Sequence, residues 1–271
     1  MEIAMDRKRV TLNTLKNKKN DGKKITVLTA YDYTTAKCLD EAEIDIALVG
    51  DSLGMVILGY ENTLRVTLDD MIHHTKAVAR GIEYALIVGD LPFMTYQVNP
   101  EQALINAGRM VQEGGAQAVK LEGGHSVILA ITKIVEAGIP VMGHLGFTPQ
   151  SYHQLGGFRV QGRSDYEAGC IINDAKALEE AGVFAIVLEL VPTELAKRVT
   201  ESVDVPTIGI GAGPDCDGQV QISNDILGLY TDMQPKHAKR YLNLAEQITD
   251  AFRAYESDVT EGRFPVDENS F

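Results

Sequence analysis

Short aliphatic stretches that break off at glycine and a polar side chain recur along this chain, and no other feature constrains its fold as strongly. Residues 46–49, Ile-Ala-Leu-Val, run straight into Gly50-Asp51-Ser52. A continuous apolar run of this length suits a strand covered on both faces, as in parallel sheets. The pattern returns at 25–30 before Tyr31-Asp32, at 85–88 before Gly89-Asp90, at 118–121 before Glu122-Gly123 and at 140–142 before Gly143-His144. It returns again at 185–190 around Glu189, at 206–210 before Gly211-Ala212-Gly213, and more weakly at 218–222. Helical patterns fill the intervals at 35–42, 67–80, 100–112, 127–137, 165–181 and 192–201, and a last helix is expected at 237–255. Thr67 and Asp70 have the spacing of a capping box, and Gly114-Gly115 stops the helix before it. Eight strands alternating with helices predict an α/β fold, a (β/α)8 barrel. An open doubly wound sheet is the alternative.

With 271 residues and no Pro/Ser-rich break, the chain reads as one domain over 1–271. A polar, basic helical extension over about 11–20 precedes the first strand, and a tail follows over about 258–271. The 25 Lys and Arg stand against 38 Asp and Glu, a formal charge of −13. That balance disfavours nucleic acid and anionic membrane surfaces as partners. No apolar run approaches membrane-spanning length, and the first 19 residues lack the apolar core of a secretory signal. Cys38, Cys170 and Cys216 are odd in number and scattered. They fit a reducing cytoplasm better than a disulfide framework or a CxxC metal site.

In a barrel the carboxyl ends of the strands carry the chemistry. Asp51, Asp90 and Glu122 end three different strands in one half of the barrel. Oxygen ligands of this kind suit Mg²⁺, whereas any one alone reads as a helix cap or turn former. Ser52 is either such a cap or a contact to a substrate carboxylate. Lys120 lies two residues before Glu122 and so shares its face; inside a barrel it needs an anion, Glu122 itself or a ligand. Glu189 interrupts the apolar run 185–191, which requires either a structural ion pair or work as a base. His144 at a strand end is a base, a donor to substrate or a satisfied core residue, and spacing does not choose among them. His73 and His74 sit in a helix and are expected to face solvent or a neighbouring subunit. Gly209 to Gly213 match a dinucleotide fingerprint only loosely and lack a following helix, so a tight, close-approach turn is expected there. The glycine-rich stretch 148–164 is long enough to be a functional loop.

Several of these blocks resemble one family. They are Thr29-Ala30-Tyr31-Asp32-Tyr33, Val49-Gly50-Asp51-Ser52-Leu53-Gly54, Asp90-Leu91-Pro92-Phe93, Val119-Lys120-Leu121-Glu122-Gly123-Gly124, Gly143-His144-Leu145-Gly146-Phe147-Thr148-Pro149-Gln150 and Ile208-Gly209-Ile210-Gly211-Ala212-Gly213. In this order they are similar to the ketopantoate hydroxymethyltransferases, over about residues 12–271. The resemblance implies a barrel of the phosphoenolpyruvate mutase/isocitrate lyase type. It implies transfer of a one-carbon unit from 5,10-methylenetetrahydrofolate to 3-methyl-2-oxobutanoate, giving 2-dehydropantoate for pantothenate and coenzyme A synthesis. It further implies one Mg²⁺ per subunit on Asp51 and Asp90 with Glu122 reaching it through water, keto-acid contacts from Ser52 and Lys120, Glu189 as base, and His144 lining the pocket. A homo-oligomer, a homodecamer, is also implied. Arg65 in Thr63-Leu64-Arg65-Val66-Thr67 and Asn269 before Ser270-Phe271 depart from the family's usual Pro and His. The rival enzyme on such a barrel is a Mg²⁺-dependent 2-oxo-acid lyase or mutase, which uses a loop cysteine; residues 148–164 contain none.

Overall fold

The computed structural model describes residues 7–271. Eight parallel strands close on themselves in sequence order: β1 (Ile25–Thr29), β2 (Ile46–Val49), β3 (Leu86–Asp90), β4 (Ala118–Lys120), β5 (Val141–Gly146), β6 (Ala185–Glu189), β7 (Thr207–Ile210) and β8 (Gly218–Gln221). Pairing of β1 with β8, Val27 opposite Val220, completes the ring and excludes the open sheet. Around and between the strands run α1 (Leu12–Asn20), α2 (Tyr33–Glu41), α3 (Leu53–Val56), α4 (Leu68–Gly81), α5 (Pro100–Arg109), α6 (Ile128–Glu136), α7 (Tyr152–Leu155), α8 (Asp165–Glu180) and α9 (Thr193–Ser202). The chain forms two compact units, one ending at Gln221 and one spanning Ile222–Phe271. The second contains α10 (Ser223–Ile226) and α11 (Leu244–Thr260).

Strand alternation divides the core in two. Ile46 and Leu48 belong to one buried cluster with Val27, Leu86, Val88, Val187 and Ile208, which fills the barrel. Ala47 and Val49 belong to a second cluster, shared with helix residues such as Met71, Ile131 and Leu178. Period-two strands buried on both faces produce this arrangement, which is why the strand sequences read as unbroken aliphatic runs.

The N-terminal helix is more than an extension. Leu15 of α1 is fully buried in the barrel-filling cluster, with Val10 and Leu12 packed beside it. Lys18 Nζ pairs with Asp45 at 2.6 Å, and Asp45 in turn accepts from Thr26 N. Lys19 Nζ donates to the carbonyls of Val203 and Val205 at 2.9 Å and pairs with Asp217 at 3.0 Å. α1 therefore stoppers the amino-terminal mouth of the barrel, the end that serves stability. Leu15→Ala should cost about 2–5 kcal/mol in urea unfolding. Activity per folded molecule should be unchanged, since Leu15 lies at the opposite end from the strand-terminal acids.

Three sequence expectations need correction. β5 runs through Gly143 to Gly146 rather than stopping at 142, because β6 pairs with it continuously from Met142–Ala185 to Gly146–Glu189. The last helix begins at Leu244, since the amides of Tyr241 and Leu244 are tied to the carbonyls of Ile226 and Leu227. It then continues to Thr260, past the expected start of the tail. His73 is exposed as expected, but His74 is half-buried with Nδ1 2.7 Å from the Tyr31 carbonyl oxygen.

Candidate active site

Strand register brings the acids together. β2 ends at Val49 opposite Gly89, so Asp51 lies beside Asp90 at the end of β3, and the Asp51 amide donates to Asp90 Oδ2 at 3.0 Å. Asp90 in turn stands opposite Lys120 of β4. Lys120 Nζ lies 2.8 Å from Asp90 Oδ1, an ion pair buried at both ends. The anion that a barrel-interior lysine demands is thus Asp90, while Glu122, on the same face, lies farther along. Burial alone would lower the Lys120 ammonium. Asp90, Glu122 and Asp51 outweigh that and hold it above its ordinary value.

The capping alternative fails for Ser52 and Asp51. Ser52 sits at the start of α3 without a side-chain cap bond, and its hydroxyl is 2.8 Å from the Tyr31 phenol. Asp51 is buried and accepts from the Gln150 carboxamide at 2.9 Å. Glu122 is also buried, with Oε2 accepting from the Gln150 amide at 2.9 Å and Oε1 3.6 Å from His144 Nδ1.

His144, on β5, joins the two halves of the site. Nδ1 is 3.5 Å from Lys120 Nζ and Nε2 is 3.2 Å from Glu189 Oε2. Burial, and then the Lys120 charge, lower the imidazole well below its usual pKa, so the ring is neutral. Nε2 makes no aligned hydrogen bond among the described residues despite its approach to Glu189, and Nδ1 faces both the Lys120 ammonium and Glu122 Oε1. Glu189 is the last residue of β6, and its side chain keeps 14% exposure, at the rim rather than inside the apolar strand. Its backbone is pinned. Phe147 N donates to the Glu189 carbonyl at 2.8 Å, an approach that only glycine at 146 permits, because a Cβ there would lie 2.2 Å from that oxygen. Leu190 follows in the left-handed region at φ +46°, held by bonds to Ile210 O and from Gln161 N. A non-glycine residue in that region is costly, and such strain concentrates where a side chain must be aimed.

Three buried carboxylates, Asp51, Asp90 and Glu122, thus share one ammonium. Burial and Asp90 push Asp51 up to about 7, and burial with Asp51 raises Glu122 well above the carboxylate range. Asp90 Oδ1 is taken by the Lys120 ammonium. The remaining excess of buried negative charge is of the kind a divalent cation would offset. Among the described residues no group of three or more His, Cys, Asp or Glu side chains is placed to hold a metal ion, so Glu122 does not converge with Asp51 and Asp90 as a third direct ligand.

Tyr31, Tyr96 and Gln150 were not among the sequence candidates. Gln150 follows Pro149 in the stretch 148–164, which is folded locally as a 3-10 turn, Pro149–Ser151, followed by α7. Its place in a conspicuous block was the only available signal. Gly211 and Gly213 have φ of +64° and +82°, the tight turn expected of that glycine run. A cavity of about 430 Å³ adjoins Glu122 and Gln150 and is lined also by Leu64, Phe93, Val127 and His153. No described helix is long and apolar enough to cross a membrane, and the three cysteines are free thiols.

The family profile "Ketopantoate hydroxymethyltransferase" matches residues 9–267. The chain is 59% identical over 263 residues to the 3-methyl-2-oxobutanoate hydroxymethyltransferase of Dehalococcoides mccartyi (strain CBDB1), covering 97% of this chain and 94% of that one. It is 58% identical over 265 residues to the enzyme of that name from Moorella thermoacetica, covering 98% of each. Among solved structures it is similar to a 2,3-dimethylmalate lyase described as a PEP mutase/isocitrate lyase superfamily member, with TM-score 0.60 and 14% identity over 96% of this chain and 91% of that one. A phosphonopyruvate hydrolase complexed with oxalate and Mg²⁺ gives TM-score 0.61 and 13% identity over 95% and 92%. At those identities the likeness is one of fold.

Proposed function

The chain belongs to the ketopantoate hydroxymethyltransferase family, and from that membership we propose that the Asp51–Asp90–Lys120 cluster and the Glu189–His144 pair are the two halves of its catalytic centre. The reaction joins the methylene carbon of 5,10-methylenetetrahydrofolate to C3 of 3-methyl-2-oxobutanoate; with one water it yields 2-dehydropantoate and tetrahydrofolate. The observation that carries this reading is the 3.2 Å approach of His144 Nε2 to Glu189, with Lys120 and the acid pair on the other side of the same imidazole.

Asp51 and Asp90 would hold the Mg²⁺, with Glu122 on the His144 side where a bridging water suffices. The bound cation supplies a Lewis acid for the carboxylate and ketone oxygens of a 2-oxo acid. Glu189, its backbone pinned by the Phe147 amide, removes the C3 proton, with neutral His144 beside its carboxylate. Lys120 places fixed positive charge beside the oxygen that becomes anionic, and Ser52 with Tyr31 offers hydroxyls to the substrate carboxylate. Once C3 carries the electron pair, it attacks the methylene carbon. The cavity beside Glu122 and Gln150 is of a size for a small-molecule partner and gives the folate its approach. Phe252, Tyr255 and Val259 are exposed at i, i+3 and i+7 of α11, which supports assembly into a homo-oligomer; the free thiols agree with a cytoplasmic setting.

A lyase or mutase reading gains nothing from the distant solved structures, which speak for the fold alone. Incubation with both substrates and Mg²⁺ should yield 2-dehydropantoate by mass spectrometry, and EDTA should abolish it until Mg²⁺ is restored. Full turnover in EDTA would refute the metal assignment, and cleavage of a 2-oxo acid in place of 2-dehydropantoate would favour the rival. Lys120→Met retains the stem but not the charge. It should raise the keto-acid KM and lower kcat together, with kcat/KM down by about 10²-fold or more. Wild-type constants would make Lys120 a structural partner of Asp90 only.

A further inference from the structure

Gln150 is buried at the junction of the acid cluster, and the reaction as derived gives it no task. A carboxamide has two donor hydrogens and two acceptor lone pairs, and here all four are used. Nε2 donates to Asp51 Oδ2 at 2.9 Å and to the Leu91 carbonyl at 3.0 Å. Oε1 accepts from the Tyr96 phenol at 2.6 Å and from Gln97 Nε2 at 3.1 Å. The orientation is unambiguous, because a carboxylate oxygen and a carbonyl oxygen both demand the amide nitrogen. The backbone amide of the same residue holds Glu122 Oε2 at 2.9 Å. One residue thereby grips two of the three buried acids, and Tyr96, whose single phenolic hydrogen goes to Gln150, ties the grip to the Glu122 backbone by accepting from its amide at 3.2 Å.

We propose that Gln150 is a positioning residue that sets the orientation of the Asp51 carboxylate toward the divalent cation. The proposal rests on the reading of Asp51 as a metal ligand. A fully bonded amide on a short turn has a single low-energy placement, so Asp51 is presented to the cation already oriented. Without the amide, Asp51 is free to rotate and binding must pay the ordering. Partners that orient a metal-binding side chain in this way are worth about 10–100-fold in affinity.

Mn²⁺ shares the oxygen preference of Mg²⁺ and reports binding directly through loss of the free-ion electron paramagnetic resonance signal. Titration of the metal-free full chain with Mn²⁺, without either substrate, should give Kd values about 10–100-fold weaker for Gln150→Met and for Gln150→Asn than for wild type. Gln150→Asn keeps an amide on a stem too short to reach, and serves if Gln150→Met fails to fold by circular dichroism. On an Asp51→Ala background, where Gln150 Nε2 has no side-chain oxygen left to hold, the same change at 150 should move Kd by less than about threefold, because the group it orients is gone. A merely structural role would weaken both backgrounds equally. Single variants that bind Mn²⁺ within about threefold of wild type would overturn the proposal while leaving Asp51 a ligand. Equal losses on the two backgrounds would overturn it too. If wild type binds no Mn²⁺, or Asp51→Ala binds it as wild type does, Asp51 is no ligand and both readings fall.

Discussion

Asp51→Asn should abolish Mg²⁺-supported turnover, a loss of about 10³-fold or more, while leaving the chain folded. An asparagine oxygen at this position still accepts from Gln150 Nε2, so the network that surrounds it survives. Only the charge is removed. Asp90→Asn should lose as much activity but also cost stability. Asp90 accepts from the Asp51 amide on one oxygen and faces the Lys120 ammonium with the other, and an amide nitrogen meets one of those donors badly. The two variants therefore separate in chemical unfolding though not in activity. Unchanged Mg²⁺ activation in both would remove the metal site from these residues.

The Asp51 variant also carries a pH signature in the metal-free protein. Burial and the neighbouring Asp90 push the Asp51 carboxyl from its ordinary 3.8 up to about 7 in the folded chain, so the folded state holds the proton over that interval while the unfolded state has lost it. Burial of Asp51 costs nothing below pH 4; the cost grows as pH rises and is complete above about 7. Relative to Asp51→Asn, wild type should lose up to about 4 kcal/mol of stability across that window. Unfolding titrations in urea at pH 4.5, 6 and 7.5 measure the gap, and a gap independent of pH would contradict the assignment of the buried charge.

The barrel was legible because strands buried on both faces must be written as aliphatic runs, and Asp51, Asp90 and Glu122 were legible because each ends one. Lys120 was legible as an oddity, although its partner proved to be Asp90 across the sheet. A parallel register, which no single strand encodes, makes that pairing. Gly143 hides the second half of β5, because glycine reads as a strand breaker, whereas here its missing side chain leaves room for Leu178. The stopper role of α1 was hidden because the helix is basic overall and turns a single leucine into the core. Gln150 was hidden for a different reason. Amide side chains have no charge or periodicity to mark them, and its four partners, Asp51 and the neighbouring Leu91, Tyr96 and Gln97, lie far from it in sequence. The left-handed Leu190 leaves no trace at all, since its conformation is imposed by neighbours on β7 and in the 148–164 segment.

Removal of the C3 proton by Glu189 is the step on which the reading of the site stands. In the mechanism proposed above it precedes any one-carbon transfer, which makes it observable without folate. The chain with Mg²⁺ and 3-methyl-2-oxobutanoate in D₂O should exchange the C3 proton for deuterium, seen in proton NMR as loss of the C3–H signal and collapse of the methyl doublet. Glu189→Gln preserves the shape beside His144 Nε2 and should still bind the keto acid, yet its exchange rate should fall by about 10²–10⁴-fold. Exchange at the wild-type rate in Glu189→Gln would contradict the account and place the base elsewhere, with His144 the next residue to replace.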